Sequence, residues 1–137
     1  MKNIFVDTNI ILYYLTPNNP FHEKASLLVK KCLAKKLNGF VSAHSLTDIF
    51  YITRKFFSVA DRREFLLLIV SNFQVIAEYQ EDFFEVLNDP DFFDLEDGLQ
   101  MKCAENADLD YIVTENLKDF KNSKIPAISI EEALKKL

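Results

Sequence analysis

Three short apolar runs constrain this chain more than anything else in it. Ile4-Phe5-Val6, Gly39-Phe40-Val41-Ser42 and Tyr111-Ile112-Val113-Thr114 show almost no alternation of apolar and polar residues. A strand with one wet face alternates. A run that is apolar at successive positions is covered on both faces, as in a parallel sheet between layers of helix. Gln74-Val75-Ile76-Ala77 and Ala127-Ile128-Ser129-Ile130 are weaker runs of the same kind. Between the runs the period becomes helical. Residues 20–36 set Ala25, Leu28, Val29, Cys32 and Leu33 on one face, with lysines around the other. Further helices are expected over 45–57, 59–72, 81–87, 94–106 and 130–137. Strands separated by helices predict an α/β architecture, a central parallel sheet flanked by helices, in a single domain over 1–137. A chain this long buries about 70% of its unfolded surface, and thirteen Phe within a 49% hydrophobic composition can fill the core.

Several function classes are excluded early. Only Gly39 and Gly98 are glycine, which leaves no phosphate-cradling glycine loop. Sixteen Lys and Arg against twenty-one Asp and Glu give a net charge of −5, so broad, non-specific nucleic-acid binding is not expected. Cys32 and Cys103 lie far apart and read as core thiols of a reducing compartment. His22, on a helix surface, and His44, just before its helix, have no partners at zinc-ligand spacing. Asp7 interrupts the apolar start before a leader could form, and the longest apolar stretches, 10–15 and 65–70, are far short of a membrane span. The expectation is a cytoplasmic protein with no membrane association.

In parallel α/β sheets ligands bind at the carboxyl ends of the strands, and there the oxygen-bearing residues gather. Asp7 follows the first run directly, with Thr8 and Asn9 behind it; it suits a helix cap and a site equally. Asp48 lies seven residues past Val41, and a first-turn position three after Ser45 would make it an ordinary dipole partner. Asp94-Leu95-Glu96-Asp97 sets Asp94 and Asp97 three apart on one helix face. Asp97 precedes Gly98, where a missing side chain lets another group approach. Asn116 and Asp119 follow the run ending at Thr114. Carboxylates converging on one edge repel, and a hard divalent cation such as Mg²⁺ or Mn²⁺ is their natural counter-charge.

These strings resemble the PIN-domain ribonuclease family, which includes the VapC-type toxins: Val6-Asp7-Thr8-Asn9-Ile10, Ser42-Ala43-His44-Ser45-Leu46-Thr47-Asp48, Asp94-Leu95-Glu96-Asp97, and Ile112-Val113-Thr114-Glu115-Asn116-Leu117-Lys118-Asp119-Phe120. The resemblance spans nearly the whole chain. It implies a PIN-like fold, Mg²⁺ or Mn²⁺ as cofactor, and metal-dependent hydrolysis of RNA phosphodiesters. It implies Asp7, Asp48, Asp97 and Asp119 as catalytic and metal-binding acids, with Thr8, Asn9, Thr114 and Asn116 as supporting polar groups. Asp48 stands where the family commonly has Glu, Asp94 competes with Asp97 for the third place, and Asn116 with Asp119 for the fourth. The implied partners are an RNA substrate, an antitoxin protein and a second copy of the chain. Phe56-Phe57, Phe83-Phe84 and Phe92-Phe93 offer aromatic surface for a homodimer or an antitoxin helix. The rival readings are a PIN scaffold kept for protein binding and a receiver-like phosphoacceptor module. A receiver would want paired acids after the first strand, where Asp7 stands alone.

Overall fold

The computed structural model describes residues 1–137. Five parallel strands form one sheet: β1 (Asn3–Val6), β2 (Asn38–Ser42), β3 (Gln74–Ile76), β4 (Tyr111–Val113) and β5 (Ala127–Ile128). Their order is β3-β2-β1-β4-β5. All five coincide with the apolar runs, within a residue or two at each end. β1 is central because both its faces are buried: Ile4 and Val6 join the larger of two core clusters, and Phe5 joins the smaller. β4 divides in the same way, with Val113 in one cluster and Ile112 in the other. A period of two between two covered faces is why these strands read as continuous apolar runs.

Seven helices flank the sheet: α1 (Thr8–Leu15), α2 (His22–Leu33), α3 (Ala43–Ile52), α4 (Val59–Asn72), α5 (Gln80–Leu87), α6 (Leu95–Asn106) and α7 (Ile130–Lys136). Short 3₁₀ turns occupy Thr53–Lys55 and Leu117–Phe120. The larger cluster draws on α1, α2, α3, α4 and α7, and the smaller on α6 and the turn ending at Phe120. Two helices depart from the sequence reading. The apolar stretch 10–15 belongs to α1, a buried helix with Ile10 and Ile11 fully enclosed; surrounded by core, it carries little polar face to betray a period. The helix expected from Ser45 begins at Ala43, because Ser42, the last residue of β2, already stands at its N-cap. Asp48 is therefore in the second turn of α3, and the reading of it as a first-turn dipole partner is corrected. That helix also ends sooner than expected: Thr53 Oγ1 donates to the Ile49 carbonyl at 2.6 Å, where the 3₁₀ turn takes over.

Neither glycine has positive φ; the two left-handed residues are Lys35, after α2, and Asp108, after α6. Both glycines serve packing instead. A Cβ on Gly39 would stand 2.5 Å from the Phe73 ring and 3.1 Å from Cys32 Sγ. The close approach expected at Gly98 occurs, but the approaching group is Val86 of α5, 2.5 Å from where a Cβ would be. Cys32 and Cys103 are buried and unpaired, and burial pushes both thiols up to about 12. No helix is long and apolar enough to cross a membrane. Gly39→Ala overfills a rigid position where β2 meets two core side chains. It is predicted to lower stability by about 1–3 kcal/mol, read as a lower urea midpoint at unchanged slope. An unchanged midpoint would contradict this packing.

Candidate metal centre

The chain fills the sheet on one side of β1 as far as β3, then returns to β4 on the other side. The switch point between β1 and β4 is where such sheets place ligands. Val6 pairs with Val113, so the next residues, Asp7 and Thr114, face each other across it. Asp7 is 2% exposed. Its backbone N–H donates to the Val113 carbonyl at 3.1 Å. Its Oδ2 accepts from Thr114 Oγ1 at 2.7 Å, and its Oδ1 accepts from Gln100 Nε2 at 3.2 Å and from the Asn9 N–H at 3.3 Å. Asp7 is thus both the N-cap of α1 and the centre of a buried polar cluster. The two sequence readings of it are not exclusive.

The supporting groups have definite tasks. Thr114 Oγ1 accepts from the Asn116 N–H at 3.0 Å while donating to Asp7. Thr8 donates to Gln100 Oε1 through both its N–H, at 3.1 Å, and its hydroxyl, at 3.3 Å. Thr8 Oγ1 also lies 2.6 Å from Ser45 Oγ, which lies 2.6 Å from Ser42 Oγ. With the Thr8 proton directed at Gln100, Ser45 donates to Thr8 and Ser42 donates to Ser45. The carboxyl ends of β2, β1 and β4 are joined by one chain of hydrogen bonds.

The other acids surround this cluster. Asp97 is on the first turn of α6, half-buried; Asp94, the helix N-cap, accepts its N–H at 2.9 Å. That bond gives Asp94 a structural task and leaves Asp97 the freer carboxylate. Burial pushes Asp97 up to about 7, with Asp94, Asp7, Asp119 and Glu96 adding to the rise. Asp7 is raised by burial, opposed by the hydrogen bonds from Thr114, Asn9 and Gln100 and reinforced by Asp119. Asp119 is exposed on the 3₁₀ turn, its N–H donating to the Asn116 carbonyl. Asp48 stands slightly apart: its carboxylate groups with His44 and Glu96, their ligand atoms all within 4.8 Å of one another. Burial raises Glu96, Asp48 adds to the rise, and His44 opposes it. No Lys or Arg forms an ion pair with Asp7, Asp48, Asp97 or Asp119. A buried Asp7 carboxylate hydrogen-bonded from behind, with half-buried Asp97 and exposed Asp119 beside it and no cationic side chain paired with any of them, is the kind of donor set an oxygen-binding divalent cation takes.

Sequence reasoning missed Gln100, Glu96, His44 and Ser45. Helical spacing could have found them. Glu96 and Gln100 are four apart on α6, and His44 and Asp48 are four apart on α3, so each pair shares a face. The placement of His44 just before its helix is corrected. It lies within α3, and Glu78, just past β3, accepts from both its N–H, at 2.9 Å, and its Nδ1, at 3.0 Å.

Because Asp7, Glu96 and Asp97 are all raised, the folded protein holds their protons more tightly than the unfolded chain. The resulting stability is complete below the ordinary carboxylate range and is lost as pH rises through about 7, the value of Asp97. In EDTA, Asp97→Asn is therefore predicted to melt higher than wild type at pH 8 and equally at about pH 3, and Mn²⁺ to raise the wild-type melting temperature at pH 8. Equal melting of the two proteins at both pH values would contradict it.

Comparison with known proteins places this geometry. The family model described as PIN domain matches residues 3–118. No curated protein matches at a significant level. Solved structures do. VapBC2 from Rickettsia felis, bound to a DNA fragment from its promoter, aligns with TM-score 0.68 at 18% identity, over 93% of this chain and 98% of that one. FitAcB from Neisseria gonorrhoeae aligns with TM-score 0.68 at 14% identity over the same shares. Mycobacterium tuberculosis VapC20, described as a Sarcin-Ricin loop cleaving toxin, aligns with TM-score 0.63 at 13% identity, over 80% of this chain and 86% of that one. At such identities the structures speak to fold alone. The family model spans β1 through β4 and so includes the switch point with Asp7, Asp48 and Asp97, ending one residue before Asp119: the chain belongs to the PIN-domain family.

Proposed function

We propose that the protein is a Mg²⁺- or Mn²⁺-dependent endoribonuclease, acting as the toxin of a toxin–antitoxin pair. The observation that carries this reading is the buried Asp7 at the switch point, with Asp119 close enough to raise it, Asp97 raised by both, and no cationic side chain paired with any of them. A divalent cation held there supplies Lewis acidity to a phosphodiester and to the water that attacks it. Asp7, Asp97 and Asp119 hold it, and Asp48 faces the same edge from α3. Thr114, Gln100 and the Asn9 N–H fix both Asp7 oxygens, so this ligand loses little freedom on binding. Thr8 holds Gln100 in place, and the Asn116 N–H orients the Thr114 hydroxyl toward Asp7.

A groove of about 510 Å³ opens from Asp97 and Asp119 between α6 and the 117–124 segment. Lys102, Lys118, Lys121 and Lys124 line it, with Phe92 and Phe93 on its other wall. Lysines beside an acidic centre suit a phosphate backbone, and Phe93, 86% exposed, offers a face for base stacking. Seven carboxylates line the same groove, and Glu85 and Glu105 pair with Lys102 and Lys124, so the groove keeps the acidic balance of the chain and Lys118 and Lys121 are its unpaired cations. Among the similar structures, one is described as a toxin that cleaves the Sarcin-Ricin loop and another as a toxin–antitoxin complex from Klebsiella pneumoniae, which supports RNA as substrate and an antitoxin as partner. Exposed Tyr51, Ile52, Phe56 and Leu67 are apolar surface for that partner or for a second copy of the chain. PIN-domain membership favours this reading over the receiver-like one.

Single-stranded RNA incubated with the protein and Mn²⁺ should be cleaved, and EDTA should stop the reaction. Asp7→Asn should lower the rate by at least about a hundredfold. Cleavage that resists EDTA, or an Asp7→Asn protein as active as wild type, would overturn the proposal.

A further inference from the structure

The two walls of the groove beside Asp97 and Asp119 carry opposite chemistry. One wall is the segment after β4, which brings Lys118 and Lys121 to the groove, neither of them in an ion pair. The other is the short link between α5 and α6, which brings Asp91, Phe92, Phe93 and Asp94. Phe93 is 86% exposed and Phe92 42%, so two aromatic rings stand uncovered on a wall that is otherwise acidic. Local bonds hold this link in shape. Asp89 accepts the Asp91 N–H at 2.8 Å through its side chain and the Phe92 N–H at 2.9 Å through its carbonyl, and Asp94 caps α6. The Phe pair is thus held between two anchored aspartates. A nucleotide is two-sided in the same way. Its phosphate is repelled by the aspartates and drawn to the lysines, while an unpaired base stacks on an aromatic ring. Neither an anionic lipid surface nor an acidic peptide suits a wall with so many carboxylates.

We propose that the link between α5 and α6 is a subsite for one unpaired purine of the RNA, stacked on Phe93, with the adjoining phosphates on Lys118 and Lys121. The subsite rests on the nuclease reading and adds to it an orientation of the strand across the groove and a base preference. A purine has the larger π face, and stacking strength sets preferences of this kind. Its edge fits as well: guanine and adenine carry exocyclic amines, and an aspartate accepts from such an amine. Uracil carries no amine and turns two carbonyls toward the same carboxylates. A base inside a helix hides both faces, so the subsite takes single-stranded or looped RNA.

The experiment is fluorescence anisotropy of end-labelled octanucleotide RNAs in Mn²⁺, read by rapid mixing before cleavage. One RNA is all uracil and the other has a single central adenine. Wild type should bind the adenine RNA at least about fivefold more tightly. Phe93→Ala should abolish that difference and leave the salt dependence of binding unchanged, and Phe93→Trp should restore the difference. Lys118→Gln with Lys121→Gln should do the reverse, keeping the preference while the slope of log K against log salt falls by about 1.4. Phe93 is exposed, so its variants are expected to fold as wild type does. No preference in wild type, or the same preference in Phe93→Ala, would overturn the inference; if that protein still cleaves RNA, the proposed function stands. The predicted preference in a protein that cleaves no RNA would uphold the subsite and count against the nuclease.

Discussion

The buried carboxylate of Asp7 is the constraint around which the rest of the molecule is arranged. Taking a carboxylate out of water costs several kcal/mol unless neighbours answer it, and this one sits at the end of the central strand. The answer comes from both sides of the switch point. Thr114 reaches across from the end of β4, Gln100 comes down from α6, and the start of α1 supplies the Asn9 N–H. Each donor steadies the charged form, yet burial still dominates and the carboxyl remains raised. Nearby Asp97 and Asp119 deepen the deficit of positive charge. Hydrogen bonds alone leave the cluster short of a counter-ion, which is the physical basis of the metal reading.

The same constraint explains why the polar network extends so far. Gln100 can hold Asp7 only if its own carbonyl is engaged, and Thr8 engages it twice. Thr8 in turn needs a donor, which Ser45 and then Ser42 provide. The hydrogen-bond chain therefore orients every proton toward the carboxylate, from the end of β2 to the end of β1. A site built on strand ends in this way inherits the rigidity of the sheet, and the segment after β4 carries Asp119 with Lys118, Lys121 and Lys124 of the groove. The excess charge is concentrated where a cation is needed, and the approach stays acidic despite its four lysines, so a bound cation would have to answer the phosphate.

Much of this was legible in the residues. The strands could be read because β1, β2 and β4 are covered on both faces, which turns each into an unbroken apolar run. The order of acids after those runs located the edge of the sheet that carries the site. What escaped was set by three-dimensional neighbours. α1 was hidden because it is itself core, so no polar stripe marks its period. The start of α3 was misjudged because a strand passes straight into a helix at Ser42 without a turn residue, and that shift of two residues moved Asp48 out of the first turn. Gln100 and His44 escaped because their importance lies in contacts with residues 93 and 34 positions away, Asp7 and Glu78. Helical spacing marks which residues share a face, but not what that face meets.

On the proposed reading, Asp7, Asp97 and Asp119 together bind a divalent cation at the β1–β4 switch point. Anomalous diffraction from a crystal grown with Mn²⁺ tests it most directly. An anomalous peak is expected within coordination distance of an Asp7 oxygen, with Asp97 and Asp119 as its other protein neighbours, directly or through water. A well-occupied Mn²⁺ elsewhere, with no peak beside Asp7, would contradict it.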